Sequence, residues 1–183
     1  MKLGIRILSL GCAPLIKKDT LLVGIISKND EIEGIVSTYI EVDGTDSTNK
    51  IIKLVKNTRF KDQIKIIAIN GLGIAGLNIL DVFSLEKELK IKVVSLTRKK
   101  PHPQKLINAL EAFSKETKKD IKNRIELVKK LKKLNIIRIN NLYAQTTLDE
   151  KEIKKFVKEI FKMLRLAHMI ASGVTKRESK NRL

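Results

Sequence analysis

The chain has 183 residues, 43% of them hydrophobic. That is the size and composition of one globular domain, able to bury roughly 70% of the surface its unfolded chain exposes, and it excludes a multidomain assembly or a disordered tail protein. No apolar run approaches about eighteen residues, which argues against a membrane protein, while a single cysteine, Cys12, cannot form an internal disulfide and no Cys/His spacing suits a structural zinc. Charge is the strong signal: 38 Lys and Arg stand against 20 Asp and Glu, a formal net charge of +18.

Residues 1–10 are basic and then apolar, but the run is strand-length and alternating, so it reads as a strand and not as a secretion signal. An intracellular, cytoplasmic protein is expected. Three β-rich runs open the chain, Lys2–Leu10, Thr20–Ser27 and Gly34–Val42, joined by turns as short as Lys28-Asn29-Asp30-Glu31. Connections that short predict antiparallel strands. From Asp46 the period changes: Ile51, Ile52, Leu54 and Val55 form a helical stripe behind Asp46-Ser47-Thr48, a run of capping residues. Ile64–Ile69 reads as a strand covered on both faces, followed by a helix across Gly76–Leu89 and a second buried strand, Ile91–Thr97.

Pro103 suits the first position of a helix whose apolar face is Leu106, Ile107, Leu110 and Phe113. Another helix is expected near Lys119–Leu134, and a last short strand at Ile136–Ile139. The C-terminal helix has a capping box, Thr147 with Glu150, and a stripe of Ile153, Val157, Ile160, Leu164 and Ala167 running to Gly173. The string βββαβαβ plus helices predicts an α/β fold: a mixed sheet of three antiparallel strands followed by right-handed βα crossovers, with helices on both faces. That is the ribonuclease H-like order, in one unit spanning residues 1–183.

The charge is lopsided. Residues 1–91 hold 13 basic and 11 acidic groups, net +2, whereas residues 92–183 hold 25 and 9, net +16. Such a field attracts a polyanion, and the basic half is expected to fold onto one face beside an acid-poor centre. Lysine-rich genome composition or adaptation to heat is the competing explanation, and only eight of the 38 are Arg, the better phosphate fork.

Several constellations carry possible chemistry. Gly71-Leu72-Gly73-Ile74-Ala75-Gly76 satisfies GxGxxG between a predicted strand and a predicted helix, but no acidic residue follows about twenty positions on, where Thr97-Arg98-Lys99 stands. Arg98 would suit a 2′-phosphate, which keeps an NADP-binding enzyme as a remote reading; tight turning and close packing explain at least two of the glycines. Asp43, Asp46 and Asp81 are the candidate ligands of a Mg²⁺ or Mn²⁺ ion, with Asp43, Asp46 and His168 as candidate catalytic groups. Their alternatives are a turn and a helix cap for the aspartates and a buried structural imidazole for His168. A thiol nucleophile at Cys12 paired with His168 lacks an orienting third group.

Four segments together resemble an archaeal protein family related to endonuclease V: Val42-Asp43-Gly44-Thr45-Asp46-Ser47-Thr48; Asn70 through Asp81; Arg98-Lys99-Lys100-Pro101; and Leu164-Arg165-Leu166-Ala167-His168-Met169-Ile170-Ala171. The resemblance covers nearly the whole chain. It implies the ribonuclease H-like fold, DNA or RNA as partner, and in active relatives Mg²⁺-dependent cleavage of a phosphodiester near a deaminated base. Carried over, the family's phosphate-facing positions match Arg98 or Lys99 and the helix bearing Arg165 and His168, while Tyr39 matches a tyrosine that wedges into the duplex; a half-buried strand tyrosine is its alternative. With Lys100, Lys176 and Arg177 these form the expected nucleic-acid contacts. The metal positions depart from the pattern. Gly11 and Cys12 stand where relatives have a pair of Asp, Asp46 falls near the catalytic Glu, and Asn70 aligns with the third carboxylate. A nucleic-acid-binding protein with weak, altered or lost nuclease activity is therefore expected, with an active Mg²⁺- or Mn²⁺-dependent endonuclease as the alternative.

Overall fold

The structure is a computed structural model that describes residues 4–14, 18–118 and 121–176. The chain opens with β1 (Arg6–Cys12), β2 (Asp19–Lys28) and β3 (Glu31–Glu41), a meander in which β1 pairs antiparallel with β2 and β2 with β3. The β2–β3 turn is tight because Asn29 and Asp30 both adopt positive φ, 53° and 66°, the two-residue geometry that matches strand twist. Next come α1 (Ser47–Lys56), β4 (Ile64–Ile69), the two-residue strands β5 (Gly73–Ile74) and β6 (Asn78–Ile79), α2 (Val82–Leu89) and β7 (Lys92–Thr97). The remainder is α3 (Pro103–Thr117), α4 (Lys122–Leu131), β8 (Asn135–Ile139), β9 (Leu142–Thr146) and α5 (Glu150–Lys176).

Seven strands form one sheet in the order β3-β2-β1-β4-β7-β9-β8, with β1, β4 and β7 mutually parallel and the other pairings antiparallel. The expected mixed sheet is present. One face is covered by α1 to α4, whose Ile51, Val55, Leu85, Leu110 and Val128 join Leu8, Leu10, Ile67 and Ile69 in one core cluster. The other is covered by α5, whose expected stripe of Ile153, Val157, Ile160, Leu164 and Ala167 is buried against the sheet. Burying each large aliphatic side chain contributes about 1.5–3 kcal/mol, against about 0–1 kcal/mol for an exposed ion pair such as Lys154–Glu150. The stripe, not the surface charge, therefore docks α5.

Four expectations are corrected. A helix beginning at Gly76 does not form, because the glycine-rich segment folds back as the β5–β6 hairpin and α2 starts only at Val82. The capping box of α5 is Asp149 with Glu152, each accepting the other's backbone N–H, while the Thr147 hydroxyl donates to Glu86. A further strand, β9, follows the expected last one; it hydrogen-bonds to both β7 and β8 after a turn at Asn140, φ 55°. The basic half also does not lie on one face: the exposed lysines of α4 and α5 stand on opposite layers of the sheet.

Candidate functional site

Strands β1, β4 and β7 run parallel, so their C-terminal ends, Cys12, Asn70 and Thr97-Arg98, meet at one edge of the sheet. This edge is where open α/β sheets bind ligands. Strand β3 runs in the same direction as β1, which brings Tyr39, near its end, to the same edge; Tyr39 is 61% exposed. Tyr39 and Arg98 are thus four strand spacings apart, about 19 Å.

Three cavities lie along this edge. One of about 200 Å³ sits between the ends of β1 and β4 and α5, and reaches Cys12, Asn70, Ala75 and His168. The second, about 470 Å³, lies between Asn70, Arg98, Phe161 and Leu164. The third, about 480 Å³, opens behind the loop after β7 and is bounded by Gly71, Lys99, Lys100, Lys105, Leu131 and Gln145. None of the described residues lining these three cavities is acidic.

The three candidate carboxylates are used elsewhere. Asp46 stands at the start of α1, yet its carboxylate turns back to accept from Glu41 N and from Asn78 Nδ2 at 2.8 Å. The side-chain cap of α1 comes from the β5–β6 hairpin: the Asn78 carbonyl oxygen accepts from Ser47 N. Asp43, at φ 54°, accepts from Leu77 N at 2.7 Å while its own N–H donates to Ala75 O. Asp81 caps α2 by accepting from the Ser84 amide and hydroxyl. Asp43 and Asp46 hold the glycine-rich hairpin against the turn after β3, and that hairpin walls two of the cavities. Its glycines are required locally: Gly71 and Gly76 have φ 81° and 83°, and a Cβ on Gly73 would meet Gly76 O at 2.8 Å.

The ends of the first and fourth strands are neutral. Burial pushes the Cys12 thiol up to about 12, only partly offset by a hydrogen bond with the Ala75 backbone, so it is protonated at neutral pH. His168 Nδ1 lies 2.8 Å from the Cys12 carbonyl, which can only accept, so the neutral ring carries its proton on Nδ1. Its Nε2 faces Ser172 Oγ at 3.5 Å. Gly11 allows this approach: a Cβ there would collide with His168 N and with Ala167 C at 2.8 Å. A hard divalent cation needs carboxylate oxygens, and Asn70, the Cys12 thiol and the His168 imidazole do not fit one. Among the described residues no three His, Cys, Asp or Glu side chains group closely enough to hold a metal ion.

The cations are arranged differently. Arg98, Lys99 and Lys100 are exposed on the loop after β7; Arg98 stacks 5.9 Å over Phe161 of α5, and the Thr97 hydroxyl donates to Lys99 O. Lys99, Lys100 and Lys105 make no ion pair with a described residue. Behind them α3 begins at Pro103 with no side-chain cap and no acid in its first turn, leaving the positive end of the helix toward the loop. Arg165 is half-buried on α5 and Lys176 exposed near its end, whereas Arg177 lies outside the described residues. The glycine hairpin offers no helix N-terminus to a pyrophosphate, which removes the geometric basis for a dinucleotide site. Sequence reasoning missed Asn78, Lys105, Phe161 and Gln145. A signal for Gln145 existed in Asn140-Asn141, a turn dipeptide between two β-rich runs.

Strand order, layers and site position define a ribonuclease H-like α/β protein with an acid-free, cation-rimmed cleft at the end of its sheet. The chain belongs to the family described as Endonuclease dU, whose model matches residues 4–175. Relatives named UPF0215 protein include one from Thermococcus sibiricus, 39% identical over 90% of this chain and 87% of its own, and one from Methanosarcina mazei, 29% identical over 97% and 94%. A crystal structure of an Archaeoglobus fulgidus protein superposes with TM-score 0.78 at 28% identity, covering 93% of this chain and 98% of that one. Endonuclease V of Ciona intestinalis, solved with an inosine-containing DNA 24-mer, shares the fold at TM-score 0.56 and 9% identity, over 97% and 89%. No helix among the described residues is long and apolar enough to cross a membrane.

Proposed function

We propose that this protein binds DNA or RNA across the end of its sheet and that its nuclease activity is weak, altered or lost. One observation carries the reading: three adjoining cavities at the sheet end are lined by no carboxylate of the described residues, and two of them are rimmed by Arg98, Lys99, Lys100 and Lys105. Phosphates approaching that rim meet positive charge and the positive end of α3 with no acidic repulsion, and each contact releases condensed counterions. Tyr39, Arg165, His168 and Lys176 extend the surface along α5 and β3. The family name, Endonuclease dU, and the inosine-containing DNA bound to the Ciona endonuclease V favour a strand with a deaminated base as ligand.

A divalent cation would supply an activated water, but the donors at the strand ends do not fit one, and Asp43, Asp46 and Asp81 are engaged in holding backbone. The test is binding of uracil- or inosine-containing DNA and RNA across a salt series, with nicking followed in Mn²⁺ and in chelator. Binding that falls with a log–log slope of about 0.9 per neutralised duplex phosphate, without nicking, is expected. Salt-insensitive binding, or none, defeats the reading; chelator-sensitive nicking lost in Asp46→Ala would replace it with an active metal-dependent endonuclease.

A further inference from the structure

We propose that the outer face of α5 is a second nucleic-acid contact, apart from the sheet end, against which the phosphate backbone of a duplex lies. This rests on the nucleic-acid reading above and carries the contact away from the strand ends. At about 100° per residue, Lys151, Lys154, Lys155, Lys158, Lys162 and Arg165 fall within one arc of about 100°, opposite the buried stripe, and Lys176 continues it. The other positions of the arc are Met169, Ser172 and Gly173. The arc therefore holds no acid over about 37 Å, at about 1.5 Å per residue.

The three acids of α5 lie off this arc and are engaged. Glu150 pairs with Lys154 at 2.6 Å, Glu152 closes the capping box with Asp149, and Glu159, 8% exposed, accepts from the Ser27 hydroxyl. Lys162 lies 3.6 Å from Asp30, while Lys151, Lys155 and Lys158 make no ion pair with a described residue. The layer of α3 and α4 differs: Glu111 and Glu116 stand exposed on α3 beside Lys115, and Glu126 of α4 pairs with Lys129. Lysines four apart on one helix, as in Lys151–Lys155, Lys154–Lys158 and Lys158–Lys162, repel each other. Adaptation to heat favours networks of opposite charge, which a stripe of one sign does not form. A polyanion laid along the stripe removes the repulsion.

Position and chemistry select the ligand. Ile153 and Val157 share a core cluster with Val94 and Leu96 of β7, and Ala171 shares one with Leu21 and Val23 of β2, so α5 crosses the strands from β7 toward β2. Its stripe thus runs alongside the cationic sheet end, to which Phe161 joins it beneath Arg98. The arc carries no aromatic ring on which a base could stack, so it meets backbone alone. A duplex presents one phosphate charge per about 1.7 Å of axis and stays straight over this length, its persistence length being about 50 nm. A single strand would first have to be straightened. The apolar side of α5 is buried against the sheet, which leaves it no face to insert into a lipid surface.

The test compares salt series for a sixteen-base-pair duplex and for one of its strands. Lys151→Gln, Lys155→Gln and Lys158→Gln together, all at exposed positions, should lower the log–log slope for the duplex by about 2.7, three contacts at about 0.9 each, and leave that for the single strand unchanged. Arginine at the same three positions should restore the duplex slope. Lys130→Gln, Lys132→Gln and Lys133→Gln together, on the opposite layer, should change neither. A duplex slope unaffected by the α5 variant, with wild-type binding still salt-sensitive, overturns this surface and leaves the nucleic-acid reading standing. Absent or salt-insensitive wild-type binding overturns both. Equal losses in the α5 and α4 variants reduce the stripe to diffuse charge and overturn it as a contact. An equal loss for the single strand overturns the duplex as occupant, as does its displacement by phosphatidylserine vesicles at equal charge.

Discussion

The turn after β3 and the loop after β7 leave the same end of one sheet, and both carry charged residues in motif-like runs, Asp43 to Asp46 and Arg98 to Lys100. They spend that charge in opposite ways. In the first, both carboxylates point into the protein and accept backbone or amide hydrogen bonds at 2.7–3.4 Å, which joins α1, β3 and the glycine hairpin. In the second, Arg98 rests on an aromatic ring, and Lys99 and Lys100 stand in solvent without a carboxylate partner among the described residues. A charge saturated by the fold stabilises architecture; one left to solvent is available to a ligand of opposite sign. The contrast explains how the cations at this sheet end stay available while the aspartates beside them serve the fold.

The hardest way to break this contrast is at the acidic turn. Asn78 is fully buried and bonds Glu41 O, Asp46 and Ser47 N. Asn78→Ala removes all three bonds and strands buried backbone groups, so a loss of about 3 kcal/mol in urea denaturation is expected. A change under about 0.5 kcal/mol would mean that the hairpin is not held by this turn. The loop should behave in reverse. Replacing Arg98, Lys99 and Lys100 together by Ala should leave stability within about 0.5 kcal/mol, yet lower the salt slope of duplex DNA binding by about 2.7, three contacts at about 0.9 each. An unchanged slope would remove the loop from the interface.

The smallest effect sharpens the neutrality of the site between these two regions. The Cys12 thiol is raised from 9.0 to about 12 by burial, so the folded protein holds that proton more tightly than the unfolded chain. Its contribution to stability is complete below about pH 9 and is lost as pH rises toward 12. Cys12→Ala should therefore lose stability less steeply than wild type over that interval, and wild-type Cys12 should resist alkylation at pH 8. Rapid alkylation there would contradict a buried, protonated thiol.

Much of the fold was legible because its signals are local. β-rich runs separated by short turns located β2 and β3, an unbroken apolar run fixed β4 at Ile64–Ile69, and the 3.6 period of α5 named its buried stripe. Pro103 opened α3 as its fixed φ and missing N–H predict. The glycine-rich segment misled: GxGxxG marks glycines that permit positive φ and close approach, and a hairpin needs these as much as a phosphate loop does. The box of α5 misled similarly, since Thr147-Glu150 and Asp149-Glu152 both fit the pattern and only contact with Glu86 decided between them.

By itself the sequence determined the opening strand meander, the buried strands β4 and β7, the C-terminal helix, the positive second half, and the neutral residues Cys12 and Asn70, since each is a property of residue type along the chain. The tertiary structure alone decided that the lysines of α4 and α5 diverge to opposite layers, that Asp43 and Asp46 are consumed in holding a hairpin, and that Gln145 and Lys99 line one cavity. Those outcomes depend on hydrogen bonds and burial between residues more than thirty positions apart, which no local pattern encodes.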